Sequence, residues 1–98
     1  MTSVEITERA EADLLGFVDY LAEANLAVAR DFIDAFERAV ERLSIFPESG
    51  ALLHDGGTGN ERVALVYPAR VIYRFEVGVV RILRVVHGAR DLRRLDLS

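Results

Sequence analysis

The sequence contains no cysteine and no lysine. Without cysteine there are no disulfides, no thiolate metal cluster and no thiol nucleophile, a composition that suits a reducing cytoplasm. Without lysine all twelve cations are arginine, so any mechanism that needs an amine as Schiff base or general base is excluded. No apolar run is long enough to span a bilayer, and no basic segment followed by an apolar one opens the chain as a secretion signal would. A cytoplasmic location is therefore expected. Histidine is scarce as well: His54 stands beside Asp55, and His87 is the one other. That is too few for a metal site, and no cofactor is expected. The loop from His54 to Asn60 is rich in glycine but lacks the Gly-Lys-Ser/Thr ending that cradles a phosphate.

What is present is an ordinary globular composition, 98 residues with 51% hydrophobic and 29% charged. This is enough for one domain, residues 1–98, with a single core. Charge is unevenly divided. Residues 1–50 hold eleven acids against four arginines, and residues 51–98 hold five acids against eight arginines. Such a split fits either a two-sided object whose basic side meets an acidic partner, or acids that merely solvate exposed helix faces.

In chain order, Val4 and Ile6 alternate with polar neighbours as a short strand. Thr7 has the chemistry of an N-cap, with Glu8 and Glu11 near the positive end of a helix dipole. The first helix is expected over about Glu8 to Glu23, with Ala10, Leu14, Phe17, Val18 and Leu21 as its apolar stripe. Asn25 breaks it and caps a second helix, Leu26 to Phe46, with a stripe at Ala29, Phe32, Ile33, Phe36, Val40 and Leu43. Pro47 stops that helix and opens a Pro-Glu-Ser-Gly turn. So short a connection makes an antiparallel helical hairpin. Ala51-Leu52-Leu53 has the composition to open another strand before the loop.

From Arg62 to Asp91 the chain reads as three β-strands with turns at Pro68 and Gly78. Val71, Tyr73, Phe75 and Val77 fall on one face, and Arg70, Ile72, Arg74 and Glu76 on the other. The apolar face must be covered, and the helical hairpin is there to cover it. The arginine face is expected to stay open for something anionic. Strict alternation would set Arg81 and Arg84 on opposite faces, so a β-bulge is expected near Leu83, bringing both to the open side. The expected fold is α+β: an N-terminal strand, then an antiparallel helical hairpin packed on one face of a small antiparallel sheet (β-α-α-β-β-β). A short amphipathic C-terminal tail carries Arg90, Arg93 and Arg94.

This order resembles the ParE/RelE superfamily of toxins from bacterial type II toxin–antitoxin systems. The resemblance rests on Ala10-x-x-Asp13-Leu14 and Tyr20 in the first helix, Ala29-x-x-Phe32, and Leu43-x-x-x-Pro47-x-x-Gly50. It continues through Arg70-Val71-Ile72-Tyr73 and Ile82-Leu83-x-Val85-x-His87-Gly88-x-Arg90. The ending Val-x-His-Gly-Ala-Arg-Asp is closer to the ParE branch than to the ribosome-dependent nuclease branch.

The resemblance implies a cytoplasmic inhibitor neutralised by a small antitoxin, ParD-like and of ribbon-helix-helix type, in a hetero-oligomer. ParE-type members act on DNA gyrase without being nucleases, and RelE-type members cleave mRNA in the ribosome. In the first case the activity is a binding surface, for which Arg70, Arg74, Arg81, Arg84 and Arg90 are the candidates. In the second, 2′-hydroxyl attack on phosphate needs a base, an acid and cations for the developing charge. Arg70, His87 and Arg90 then fall at family catalytic positions, and Glu61 is the one nearby base. The lysine-rich loop of that branch is missing, and Gly88 stands where an aromatic would follow the histidine. Arg70 reads equally as a solvated strand residue, His87 as a structural hydrogen-bonder, and Tyr67 and Tyr73 as packing. A third reading is a degenerate, non-toxic member kept as a binding module. The antitoxin is expected across apolar grooves of the hairpin and along a free strand edge, with Glu11, Asp19 and Glu23 as partners for basic groups.

Overall fold

The computed structural model describes residues 2–53, 57–88 and 95–97. Strand β1 (Ser3–Ile6) leads into helices α1 (Glu8–Ala24) and α2 (Leu26–Ile45). Strands β2 (Ala51–Leu52), β3 (Glu61–Val66), β4 (Ala69–Glu76) and β5 (Val79–His87) follow. Thr7 caps α1, its hydroxyl oxygen accepting from the Ala10 amide at 3.1 Å. Asn25 serves both helices. Its amide donates to the Leu21 carbonyl, closing α1, and its side-chain oxygen accepts from the amides of Ala27 and Val28, opening α2. One residue therefore makes the hairpin, and Phe17 meets Phe32 edge to face across it, with ring centroids 5.0 Å apart.

The sheet runs β1-β5-β4-β3-β2. Its strands pair antiparallel except β1, which lies parallel to β5. The α+β order is as expected, but the sheet is mixed rather than antiparallel. A chain that enters as a strand and continues through a helical hairpin can return its last strand alongside the first in the same direction. The expected bulge is present: Ile72 pairs with Arg84 and Tyr73 with Ile82, leaving Leu83 as the extra residue.

The helices bury one sheet face. Phe32, Phe36 and Leu43 pack with Val71, Tyr73, Val80, Ile82 and Val85. Burying these side chains is the main source of stability, at about 1.5–3 kcal/mol each. Ile33, assigned to this stripe from the sequence, is exposed instead.

The other face corrects the expectation of an open basic platform. Ile72 and Val86 are fully or nearly fully buried there, under Leu53 from the end of β2 and Leu95 from the tail. A strand residue as apolar as Ile72 cannot be left to water at the centre of a sheet, so chain segments outside the regular elements cover it.

The turn before β2 is fixed by three contacts. The Gly50 amide donates to the buried Tyr73 hydroxyl at 2.9 Å, and the Arg62 guanidinium donates to the carbonyls of Glu48 and Gly50. A Cβ on Gly50 would lie 2.8 Å from the Val63 carbonyl and 2.7 Å from the Tyr73 hydroxyl. Gly50→Ala is therefore expected to destabilise the fold by about 1–3 kcal/mol, as overpacking against backbone does. It should be seen as a lower urea midpoint with an unchanged slope.

Candidate functional site

The five arginines proposed from the sequence are not one surface. Arg70 is half-buried on β4, opposite Leu65 of β3 and Val86 of β5. It lines a pocket of about 360 Å³ with Leu65, Tyr67, Pro68, Ala69, His87 and Gly88. Arg70 and His87 both line it, as the nuclease reading required, although they sit in successive cross-strand pairs, Arg70 with Val86 and Ala69 with His87, whose side chains alternate between the two faces. The His87 ring stands edge-on to Phe17 at 6.0 Å. Tyr67 is 90% exposed, so it is not a packing residue. Tyr73 is, and burial pushes its phenol above the usual range, keeping it neutral.

Arg74 and Arg81 sit opposite each other on β4 and β5. Like charges in that position repel, and each is balanced by acids. Arg81 pairs with Glu5 at 3.2 Å on the exposed rim. Arg74 pairs with Glu61 at 2.6 Å and lies 3.2 Å from Glu76, the latter too poorly aligned to hydrogen-bond its Nε.

Arg84 is corrected outright as a partner contact. It is 6% exposed. Its Nε and Nη2 donate to the Asp13 carboxylate at 2.6 and 3.2 Å, and its Nη1 donates to the Asp96 carbonyl at 2.9 Å. Asp13 also accepts from the Val85 amide at 3.1 Å. The bulge does bring Arg84 to the side of Arg81, but beyond Ile6 the neighbouring strand has ended. Helix α1 passes there instead, and its carboxylate captures the guanidinium. Arg90 lies outside the described residues, as do His54 and Asp55.

Glu61 is not a base. Burial raises its pKa, but hydrogen bonds from Arg74, the Thr58 hydroxyl and the Thr58 amide outweigh that and hold it at about 2. A carboxylate so stabilised as an anion does not take a proton at neutral pH. Among the described residues no group of His, Asp and Glu is arranged to hold a metal ion. None of their helices is long and apolar enough to cross a membrane.

The helical hairpin lies against one face of a sheet whose first and last strands run parallel, and the matches to known proteins place the chain among the ParE/RelE-type toxins. More narrowly, this chain belongs to the ParE toxin family: its residues 4–92 match the family described as the ParE toxin of the type II toxin–antitoxin system parDE. It is 34% identical over 91 residues to Toxin RelE2 of Caulobacter vibrioides, covering 92% of this chain and 99% of that protein. Its fold is similar to a chain of the chromosomal ParDE TA system from P. aeruginosa. The TM-score is 0.71 at 22% identity, over 89% of this chain and 96% of the other.

Proposed function

We propose that this toxin acts on DNA gyrase by binding rather than by cleaving a substrate, and that a ParD-like ribbon-helix-helix antitoxin neutralises it in the cytoplasm. The observation that carries this is the commitment of Glu61 to Arg74. With it, the described residues around Arg70 and His87 contain no carboxylate to act as base, and the chain has no lysine to replace one. Half of an acid–base pair does not make a transesterification site. Purified protein added to gyrase and relaxed plasmid is expected to suppress supercoiling. Unchanged supercoiling at saturating toxin would overturn the proposal.

A second reading, a RelE-like ribosome-dependent endoribonuclease, has one observation in its favour: Arg70 and His87 share a pocket. It requires new cuts in ribosome-bound mRNA that His87→Ala abolishes.

A further inference from the structure

We propose that Val77, at the tip of the β4–β5 hairpin, is an apolar finger through which the toxin engages its target, entering a socket in a protein surface. The identity of that protein as DNA gyrase rests on the reading just given. The first observation is backbone. Strand β4 ends at Glu76 and β5 begins at Val79, so Val77 and Gly78 are the whole turn. Both have positive φ, 52° at Val77 and 75° at Gly78, the signature of a type I′ hairpin turn. Gly78 adopts that conformation freely. Val77 does not: the turn takes asparagine, aspartate or glycine at this place, and a β-branched side chain there is strained.

The second observation is exposure. The alternation of β4 assigns Val77 to the covered face, but the strand has ended and the side chain is 99% exposed. Its methyl groups pack on nothing within the chain, so neither burial nor solubility explains a valine here. Strain held without a compensating contact points to a role outside the folded chain itself.

The third observation is shape and charge. Strand β3 pairs with β4 only as far as Arg74, and β1 pairs with β5 only from Val79 onward. The hairpin therefore outruns the strand on either side, and a convex tip is matched by a concave site such as an enzyme's cleft. Behind the tip, Arg74 is held by Glu61 and Glu76, and Arg81 by Glu5. Guanidinium groups already neutralised in this way offer little to the phosphates of nucleic acid or of an anionic membrane surface. A second copy is disfavoured as well, because two tips meeting on a two-fold axis would bury little more than a pair of valines, far below the roughly 1,000 Å² of a stable interface. The antitoxin is expected on the helical hairpin and a strand edge, and this turn belongs to neither.

Parent, Val77→Asn and Val77→Thr, each as the full chain, are compared in thermal melts, in gyrase supercoiling and in co-expression with the neighbouring reading frame. Asparagine suits the left-handed turn and removes the methyl groups. Val77→Asn is therefore expected to melt about 4 °C or more above the parent, yet to need at least about tenfold more protein for half-inhibition of supercoiling. Threonine keeps the branched shape and the strain but puts a hydroxyl in place of a methyl. Val77→Thr should melt with the parent and still lose about tenfold or more in inhibition. Both variants should form the antitoxin complex as the parent does. If either variant inhibits as strongly as the parent, the finger is overturned while gyrase remains the target. If the parent itself leaves supercoiling unchanged, the gyrase reading falls, and the target assigned to Val77 falls with it. A Val77→Asn chain that melts no higher than the parent removes the strain on which the assignment stands. Loss of the antitoxin complex in both variants, or self-association of the parent that Val77→Asn abolishes, overturns it in favour of those occupants.

Discussion

Replacing Glu61 with alanine is expected to lower folding stability by about 3 kcal/mol, near the bottom of the range for breaking a buried ion pair from one side. Glu61 is fully buried and accepts from the Thr58 amide at 2.6 Å, the Thr58 hydroxyl at 2.8 Å and Arg74 at 2.6 Å. Removing it leaves the Thr58 groups and a guanidinium without their acceptor. Arg74 keeps Glu76 beside it and 26% of its side chain in contact with solvent, which is why the loss falls at the lower end. The same carboxylate sets an acid limit. Its pKa falls from 4.5 unfolded to about 2 folded, so its stabilisation is fully present above about pH 4.5. It drains away as the pH drops and is gone below about pH 2, a span of about 3 kcal/mol. Glu61→Gln should flatten that limb of a stability–pH curve measured by urea titration. A variant that loses stability on acidification as steeply as the parent would contradict this assignment.

Asp13→Ala is expected to be at least as damaging, about 3–5 kcal/mol. It strands the Arg84 guanidinium, whose side chain is only 7% exposed, and leaves the Val85 amide on the edge of β5 without an acceptor. Three parts of the fold meet at this point: α1 through Asp13, β5 through Arg84, and the tail through the Asp96 carbonyl. Removing both charges together, as Asp13→Leu with Arg84→Met, should recover most of the loss, because an apolar pair of similar volume is not penalised by desolvation. A thermal melt of the two single variants and the double variant measures the coupling directly. Additive losses would mean that the two side chains do not act as a unit.

Local patterns carried most of the architecture. Asn25 between two apolar stripes marks the hairpin. The alternation of β4 sorts Val71, Tyr73 and Phe75 from Arg70, Ile72 and Arg74, and the parity of Arg81 and Arg84 calls for the bulge at Leu83. Period-two alternation reports which residues share a face, but not what lies over it. Leu53 and Leu95 cover the second face from outside the regular elements, where no periodicity announces them. The arginine site failed for a related reason. A guanidinium reads the same in sequence whether it faces water or a carboxylate 71 positions away, as Arg84 does with Asp13. One signal was available: Asp13 lies a turn from both Ala10 and Phe17, inside the apolar stripe of α1, and an acid there needs a buried cation. Glu61 offered no such warning, since its burial depends on Arg74 across the sheet.

The placement of β1 beside β5 also bears on how the molecule is made. The opening strand has its neighbour only after the closing one is synthesised, so nearly the whole chain must leave the ribosome before the sheet can be finished. Such distant closure is entropically demanding and late. Until then the paired helices emerge with their greasy side bare, a nascent species for chaperones or for a partner already waiting. The completed sheet, and any surface that spans it, therefore comes into being only after β5 has emerged.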